Sequence, residues 1–591
     1  MLNICAKTLW RCQPLKQTYR ILALQNYASF SVKDILYETS DEAGTLLTRF
    51  AKHVAQERQK VCEQVPSDVK YSDYFPISDV RYFHKELEKT PKEQLAAVII
   101  YASTYRSNAE PAKFAIVLNE LDRHASDNVE DMNADTILRT LYAFLFLIPN
   151  WMTRLDFYGR AMQRLHEEFN KDANKSKEQF VQLCFYMGLS KKQTRFNVNK
   201  LLNSLLDENL SKYMKDFSTI DMALVSNAAY KTSNIIKNED FNQRLLKEVL
   251  DISHTSNGND ALLINFIKSM RLQRLRSPIV CEYITNICQD AGKLRQLQAR
   301  GQVHLFAYLA ENLWDSKNCT QPLVDTITEQ LTLSRHSNRS YTPTIRGKDI
   351  ATFLWSCAQL NCSLSSIQFR TIENSLIEKL NANEFNYFSD HLVDSCLSLW
   401  TLGYKTKELL QAAVQLKSES TNKRHQPKVD SRITVLLSAA QIEEPAWCAS
   451  VIKGFEAFNV KAKFPSNLLK NQSIPYQEII GQLLKEEYVS SANLTCPING
   501  INIPGIHVKL SSPPDSQLFV EFITPSQSLH FSQEPVAILR LKLRLLESLG
   551  HKVKVLSSTN MLDPQTLKEA ITDSAEQGEH IKEPAESSIK A

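Results

Sequence analysis

The amino-acid sequence predicts a mainly α-helical protein, in which an α-solenoid of about eight helix-pair repeats precedes a small C-terminal α/β module. Two observations predict this fold class. Between residues 95 and 399, a short apolar pattern with helical spacing recurs about every 40 residues. Towards the C-terminus, apolar residues adopt the alternation that is typical of β-strands. The 591-residue chain is long enough for several units with a large buried core.

Each copy of the helical pattern has anchors at a first position, four residues later and seven residues later. The eight copies begin at Leu95, Ile137, Phe180, Met222, Leu262, Leu305, Ile350 and Leu392. A second amphipathic stretch follows each copy, which predicts a pair of helices. One pair cannot bury its own apolar face, and stacked pairs form an extended surface of the kind that binds polymers. Polar Ser226, Ser269 and Asn312 occupy three anchors, which leaves one large irregular helical domain as the alternative.

Glycine is scarce, with 14 residues in the chain and no G-x-G arrangement. Loops that cradle phosphate need glycine where the backbone approaches the phosphate or takes a positive φ. The sequence therefore excludes a P-loop and a dinucleotide fingerprint, and it lacks the H-R-D and D-F-G strings of a protein kinase. The twelve cysteines include no C-x-x-C pair, so we predict neither a metal site nor a cofactor.

The first 33 residues contain no acidic side chain, and five basic residues are spaced among apolar ones. Such an amphipathic leader without an uninterrupted apolar core is typical of a mitochondrial transit peptide, with a basic arm of a cytosolic protein as the alternative.

Without this leader the chain is nearly neutral, because removing its five basic residues from the total of 69 leaves 64, against 65 acidic residues. Any nucleic-acid site must then be a local basic patch. The longest apolar runs are too short for a membrane span, so none is expected.

The strongest basic patch is formed by Arg271, Arg274 and Arg276, which fall within six residues and could contact consecutive phosphates of RNA. Basic residues recur near the end of each repeat's first helix, and Lys191, Lys192 and Arg195 are the corresponding group in the third repeat. The alternative is structural, because cations at helix C-termini are stabilised by the helix dipole in any protein.

The C-terminal pattern predicts strands over 505–510 and 517–523, a helix over 534–549 that ends at Gly550, and a strand from Lys552. A helix is also predicted over 431–445. The predicted divisions are a transit peptide (1–33), an N-terminal helical segment (34–90), the repeat array (91–417), a region 430–510, a module 515–570 and a disordered tail (571–591).

The stretches LFVEFITPSQSLHF and ILRLKLRLLESLGHKVKVLSS resemble the RAP module. The helical segments DIATFLWSCAQLNC and LVDSCLSLWTLGYKT, followed by RITVLLSAAQIEEP, resemble the two subdomains that precede RAP in the FAST kinase domain-containing family, here 345–417 and 430–510. This resemblance implies a protein of the mitochondrial matrix that binds mitochondrial RNA and affects transcript stability, processing or translation. Other mitochondrial RNA-processing proteins are its implied further partners.

The RAP module is similar in fold to restriction-endonuclease-like nucleases, which implies Glu521, Asp515 and Lys509 as candidate catalytic residues. Ile523 stands where the usual acid-x-lysine pair would place its lysine, so the cation site is incomplete. RNA binding through a basic group is the preferred role of the module, and the group consists of Arg540, Lys542, Arg544, Lys552 and Lys554. A solvated basic face and a protein-interaction scaffold remain the alternatives.

Overall fold

The computed structural model describes residues 69–569, apart from 78, 107–108, 149–150, 191–195, 255–259, 337–344, 387, 420–425, 452–473, 512–516, 558–562, 564, 566 and 568. The predicted transit peptide, most of the segment 34–90 and the predicted tail 571–591 lie outside the described residues. The described part contains 22 α-helices and four β-strands. None of the helices in these ranges is both long and apolar enough to cross a bilayer.

The chain divides into two compact units, Met1–Arg276 and Ser277–Ala591, so the division falls within the predicted repeat array. The described helices of the first unit are α1 (Val80–Lys89), α2 (Leu95–Arg106), α3 (Pro111–Asn128), α4 (Ala134–Leu147), α5 (Asp156–Lys171), α6 (Lys177–Met187), α7 (Val198–Tyr213), α8 (Thr219–Thr232), α9 (Glu239–His254) and α10 (Asp260–Gln273). Alternate helices pack in rows: α1, α3, α5 and α7 form one, and α6, α8 and α10 form another.

The second unit continues the alternation. Its described helices are α11 (Pro278–Gln289), α12 (Ala291–Gln296), α13 (Ala299–Glu311), α14 (Lys317–His336), α15 (Gly347–Gln359), α16 (Ser366–Asn381), α17 (Ser389–Thr401), α18 (Lys407–Glu419), α19 (Gln426–Glu443), α20 (Pro445–Val451), α21 (Tyr476–Leu483) and α22 (Ala537–Ser548). Helices α13, α15, α17 and α19 pack successively in one row, and α11, α14 and α16 pack in another.

All eight copies of the apolar pattern lie in α-helices, namely α2, α4, α6, α8, α10, α13, α15 and α17. Their anchors are buried, with half-buried Asn312 as the exception. The two buried polar anchors join neighbouring helices, because Ser269 Oγ donates a hydrogen bond to the Ser226 carbonyl at 3.1 Å. Asn265 Nδ2 adds a bond to the Ala223 carbonyl at 2.9 Å. The polar anchors therefore contribute hydrogen bonds between α8 and α10 in place of apolar contact.

Five of the helices that carry the apolar pattern end in the same turn. Their C′ residues are in the left-handed region, and these are Ser233, Arg274, Leu313, Asn361 and Gly403. In each turn the next residue's N–H bonds to the carbonyl five positions earlier, as in the bond from Cys362 N to Cys357 O at 2.9 Å. This is the Schellman motif. Only one of the five is glycine, although glycine takes this conformation most easily, so low glycine content did not prevent the turn.

The C-terminal module contains one four-stranded sheet with the order β1 (Val489–Thr495), β2 (Gly505–Leu510), β3 (Gln517–Ile523) and β4 (Lys552–Ser557). The first three strands are antiparallel, and β4 is parallel to β3. A mainly helical chain with a small C-terminal α/β module is thus confirmed. Gly550 ends α22 with φ +82°, as predicted. The predicted boundary between 510 and 515 falls inside the sheet, because β2 pairs with β1 on one side and with β3 on the other.

Candidate nucleic-acid interface

The sheet separates the five cations that the sequence places in one basic group. Side chains alternate between the two faces of a strand, and Leu556 of β4 belongs to the core against α21. Lys552 and Lys554 share this face with Leu556 and are half-buried. Helix α22, which carries Arg540, Lys542 and Arg544, packs on the other face of the sheet. The five side chains therefore do not form one surface.

The predicted RNA contact of Lys542 requires an exposed side chain, but Lys542 is buried. Its Nζ donates to Glu521 Oε1, and both side chains have no exposed area. Strand register places Glu521 opposite Gly505, and a Cβ at Gly505 would overlap the carboxylate. Glycine is needed here because the strand approaches the ion pair so closely. The pair is a core feature of the module.

Removal from water dominates the ionisation of this pair. Burial raises the pKa of Glu521 to about 7, although the neighbouring Lys542 ammonium lowers it. Burial also lowers the pKa of Lys542, against the attraction of Glu521. Each pKa is shifted in the direction that favours the neutral form of the side chain. Desolvation therefore outweighs the attraction between the two charges. Glu521 Oε2 accepts no hydrogen bond from the described residues, so the carboxylate depends on one partner.

The candidate catalytic residues do not converge in the described part of the chain. Lys509 is exposed on β2, four residues beyond Gly505, which corresponds to about 13 Å along the strand from the position opposite Glu521. Asp515 lies outside the described residues. No group of three or more His, Cys, Asp or Glu side chains within the described ranges is arranged to hold a metal ion. The lysine that contacts Glu521 is Lys542, which the acid-x-lysine spacing could not identify.

Arg544 holds α22 against the helical part of the second unit. Its Nε donates to Glu443 Oε1 at 2.7 Å, while Nη1 and Nη2 donate to the carbonyls of Thr401 at 2.9 Å and Trp400 at 2.6 Å. Those carbonyls are at the C-terminus of α17, where helix carbonyls lack intrahelical partners. Trp400 Nε1 donates to Glu443 Oε2 at 2.6 Å. One guanidinium thus links α22 to both α17 and α19.

Arg540 has a similar structural contact, because its Nη2 donates to the Ala358 carbonyl at the end of α15. Its Nη1 donates to the Pro535 carbonyl at 2.6 Å. Burial lowers the pKa of Arg540 to about 10. Arg540 and Arg544 therefore direct their hydrogen bonds into the protein, which corrects their placement in an exposed basic group.

A loop before α22 makes a second attachment to the same unit. Asp315 accepts hydrogen bonds from the backbone N–H groups of Phe531 at 2.7 Å and Ser532 at 3.0 Å. The His530 ring stacks on Trp314 with 4.7 Å between centroids, and His530 N donates to the Leu313 carbonyl at 2.8 Å. The Schellman turn of α13 is therefore a docking point for the C-terminal module.

Replacing Arg544 with alanine is expected to lower the free energy of unfolding of the second unit by about 2–3 kcal/mol, because the 6% exposed Glu443 carboxylate loses its charged partner. Urea unfolding, followed by hydrogen exchange of α22, measures the loss. Arg370→Ala is the matched control, since Arg370 is exposed on α16. Equal urea midpoints for the two variants would contradict a docking role for Arg544.

The arginine triplet lies at the Schellman turn of α10. Arg271 is half-buried, whereas Arg274, which is the left-handed C′ residue, and Arg276 are exposed. The third-repeat group of Lys191, Lys192 and Arg195 lies outside the described residues. Arg274 and Arg276 are therefore the predicted RNA-binding arginines that the described chain presents to solvent.

Other cations near the ends of the first helices have internal partners. Arg106 Nη1 donates to the Leu147 carbonyl at 2.7 Å, which satisfies a C-terminal carbonyl of α4. Lys405 and Lys407 both pair with Glu444, at 3.0 and 2.8 Å. These three cations therefore have a structural role. Other basic residues near the ends of these helices, such as Arg274 and Arg276, are exposed.

Comparison of the chain with protein-family models and with curated proteins found no match. Function is therefore inferred from the fold and from the placement of these side chains.

Proposed function

We propose that this protein is an RNA-binding regulator of the mitochondrial matrix and belongs to the FAST kinase domain-containing family. It would act on the stability, processing or translation of mitochondrial transcripts. The observation that carries the proposal is the exposure of Arg274 and Arg276 at a turn that recurs through packed helix pairs. RNA is a polyanion, and arginine side chains at such a turn can each neutralise a phosphate.

The helix-pair packing supports the proposed binding surface. In each unit, alternate helices form rows, and a shared Schellman turn ends several first helices. Equivalent positions of stacked repeats lie along one edge, as in an α-solenoid. An edge of this kind can follow an RNA strand over several phosphates. We propose that the helix pairs of both units are α-solenoid repeats with this role.

The C-terminal module is proposed to be a RAP module that docks on the helical subdomains and does not cleave RNA. Metal-assisted hydrolysis needs carboxylates that reach both the metal and the scissile phosphate. Glu521 instead pairs with Lys542 in the core, and neither side chain has exposed area. Arg540 and Arg544 support docking because they donate hydrogen bonds to α15, α17 and α19. A purified protein that cleaves RNA, and loses cleavage as Glu521→Gln, would contradict this assignment.

The Arg274→Ala, Arg276→Ala double variant is expected to bind RNA more weakly and with a smaller dependence on salt. Each lost phosphate contact lowers the slope of log affinity against log salt by roughly 0.7 for a single strand, or about 1.4 for two contacts. Filter binding of a single-stranded RNA over a salt series measures the slope. Both arginines are exposed, so the fold should be retained.

Lys293→Ala, Arg295→Ala is the matched control for that measurement. Lys293 and Arg295 are also two residues apart, and their side chains are 70% and 68% exposed. The control should keep the wild-type slope. If both double variants reduce the slope equally, RNA binding depends on net charge and not on this turn. Crosslinking the tagged protein to RNA in isolated mitochondria tests the wider proposal, and recovery of no mitochondrial transcript would contradict it.

A further inference from the structure

Two cysteines meet at the end of α15. In the Schellman turn that ends this helix, Cys357 is the C3 residue and Cys362 is the C″ residue, because the Cys362 N–H bonds to the Cys357 carbonyl at 2.9 Å. The side chains at C3 and C″ of this motif characteristically contact each other. Burial raises the pKa of the Cys357 thiol, and a hydrogen bond with the Cys362 side chain raises it further. The turn therefore places two thiols side by side.

The two thiols differ in their access to solvent. Cys357 is buried, whereas Cys362 is partly exposed. The other seven cysteines in the described residues are buried. An oxidant in solution can thus reach Cys362 first, and a second thiol is already in contact with it.

The same turn is a docking point for the C-terminal module. The Ala358 carbonyl accepts a hydrogen bond from Arg540, and Asn361 Nδ2 donates to Glu534. Both contacting residues lie between Cys357 and Cys362 in the chain. A change in the geometry of the turn would therefore move the partners of Arg540 and Glu534.

We propose that Cys357 and Cys362 form a redox-sensitive pair, in which a peroxide converts the two thiols to a disulfide that loosens the docking of α22 on α15. A covalent bond between sulfur atoms is shorter than any non-bonded contact between them. Closing it draws Cys362 towards the helix and displaces the intervening turn. The inference is independent of RNA binding, since it concerns contacts within the second unit.

The reaction has two steps. The Cys362 thiol loses its proton, and the thiolate attacks one peroxide oxygen as the O–O bond breaks. From hydrogen peroxide this gives a sulfenic acid and a hydroxide ion, which takes up the released proton to form water. The Cys357 sulfur then attacks the sulfenic sulfur, the S–O bond breaks, and the hydroxyl leaves as water with the thiol proton. Two thiols are oxidised by two electrons in total, and one hydrogen peroxide is reduced to two waters. A dithiol reductant reverses the change.

Treatment of the purified full-length protein with hydrogen peroxide tests the pair. Digestion without reductant, followed by mass spectrometry, should recover a peptide that contains a Cys357–Cys362 disulfide. Hydrogen exchange over 530–544 should become about tenfold faster, the effect expected from losing one charge-assisted hydrogen bond. Dithiothreitol should restore slow exchange.

Cys362→Ser should form no such disulfide and should keep slow exchange in peroxide. Cys448→Ser is the matched control, because Cys448 is a buried cysteine elsewhere in the second unit, and it should respond like the wild type. Absence of the disulfide peptide from oxidised wild type would overturn the proposal. Formation of the disulfide without faster exchange over 530–544 would overturn its link to docking.

Discussion

Replacing Lys542 with methionine will destabilise the C-terminal module by about 3–5 kcal/mol at pH 8, because the variant leaves the Glu521 carboxylate buried without its partner. Neither side chain of the pair has exposed area, so water cannot solvate the remaining charge. The urea dependence of amide exchange in β2, β3 and β4 measures the loss in this module. Exchange in the helices of the first unit should stay unchanged.

The control for this prediction removes both charges together. Glu521→Leu with Lys542→Met should restore most of the lost stability, since apolar replacement of a complete buried pair is often neutral or stabilising. If Lys542→Met is as stable as the wild type, the Glu521–Lys542 pair is not buried in solution. If the double variant is as unstable as the single one, shape and not charge explains the loss.

The stability of the single variant should also depend on pH. Burial raises the pKa of Glu521 in the folded protein to about 7, from an ordinary value of 4.5. A raised folded pKa gives a contribution that is present below about pH 4.5 and is lost as pH rises through 7. Replacing Lys542 removes the attraction that, among the described residues, lowers this pKa. The destabilisation of Lys542→Met should therefore be larger at pH 8 than at pH 5.

Leu354→Asp is expected to unfold its part of the second unit, with a loss of more than about 4 kcal/mol. Leu354 has no exposed area and lies on α15, which packs between α13 and α17. An aspartate at this position would place a charge among the buried apolar anchors of this row. Thermal unfolding and the soluble yield of the purified variant measure the effect.

Leu333→Asp makes the same chemical change on α14, where the leucine is 60% exposed. We expect this control to change the free energy of unfolding by less than about 0.5 kcal/mol, as is usual for surface substitutions. If Leu354→Asp has the same melting temperature as the Leu333→Asp control, the α15 anchors are not core residues in solution.

Sequence periodicity predicted the helices well because anchors at helical spacing must face the neighbouring helices. Ser226 and Ser269 look like defects in the pattern, but they are buried and hydrogen-bonded across α8 and α10. The strands over 505–510 and 517–523 were also predicted with the observed bounds. Strand β1 was missed because VSSANLT is mostly polar and its pairing with β2 shifts register between Val489 and Ser491.

The candidate site was predicted less well, since charge alone does not distinguish an exposed cation from a buried one. Arg274 and Arg544 are both arginines, yet the first is exposed at a turn and the second, on α22, donates to Glu443. Glu443 is 101 residues away from Arg544 in the chain. No local sequence pattern relates Glu443 to Arg544. The shared basic surface was predicted from residue type alone, since each of its five members is a lysine or an arginine.

The sequence by itself determined the helical periodicity, three of the four described strands and the left-handed turn at Gly550, because these depend on contacts and backbone preferences within a few residues. The tertiary structure decided which ionisable groups face solvent. Lys542 pairs with Glu521 across 21 residues, and Arg544 reaches Trp400 across 144. Such partners meet only when the chain has folded, and burial then makes their pairing obligatory, since an unpaired charge in the core costs several kcal/mol.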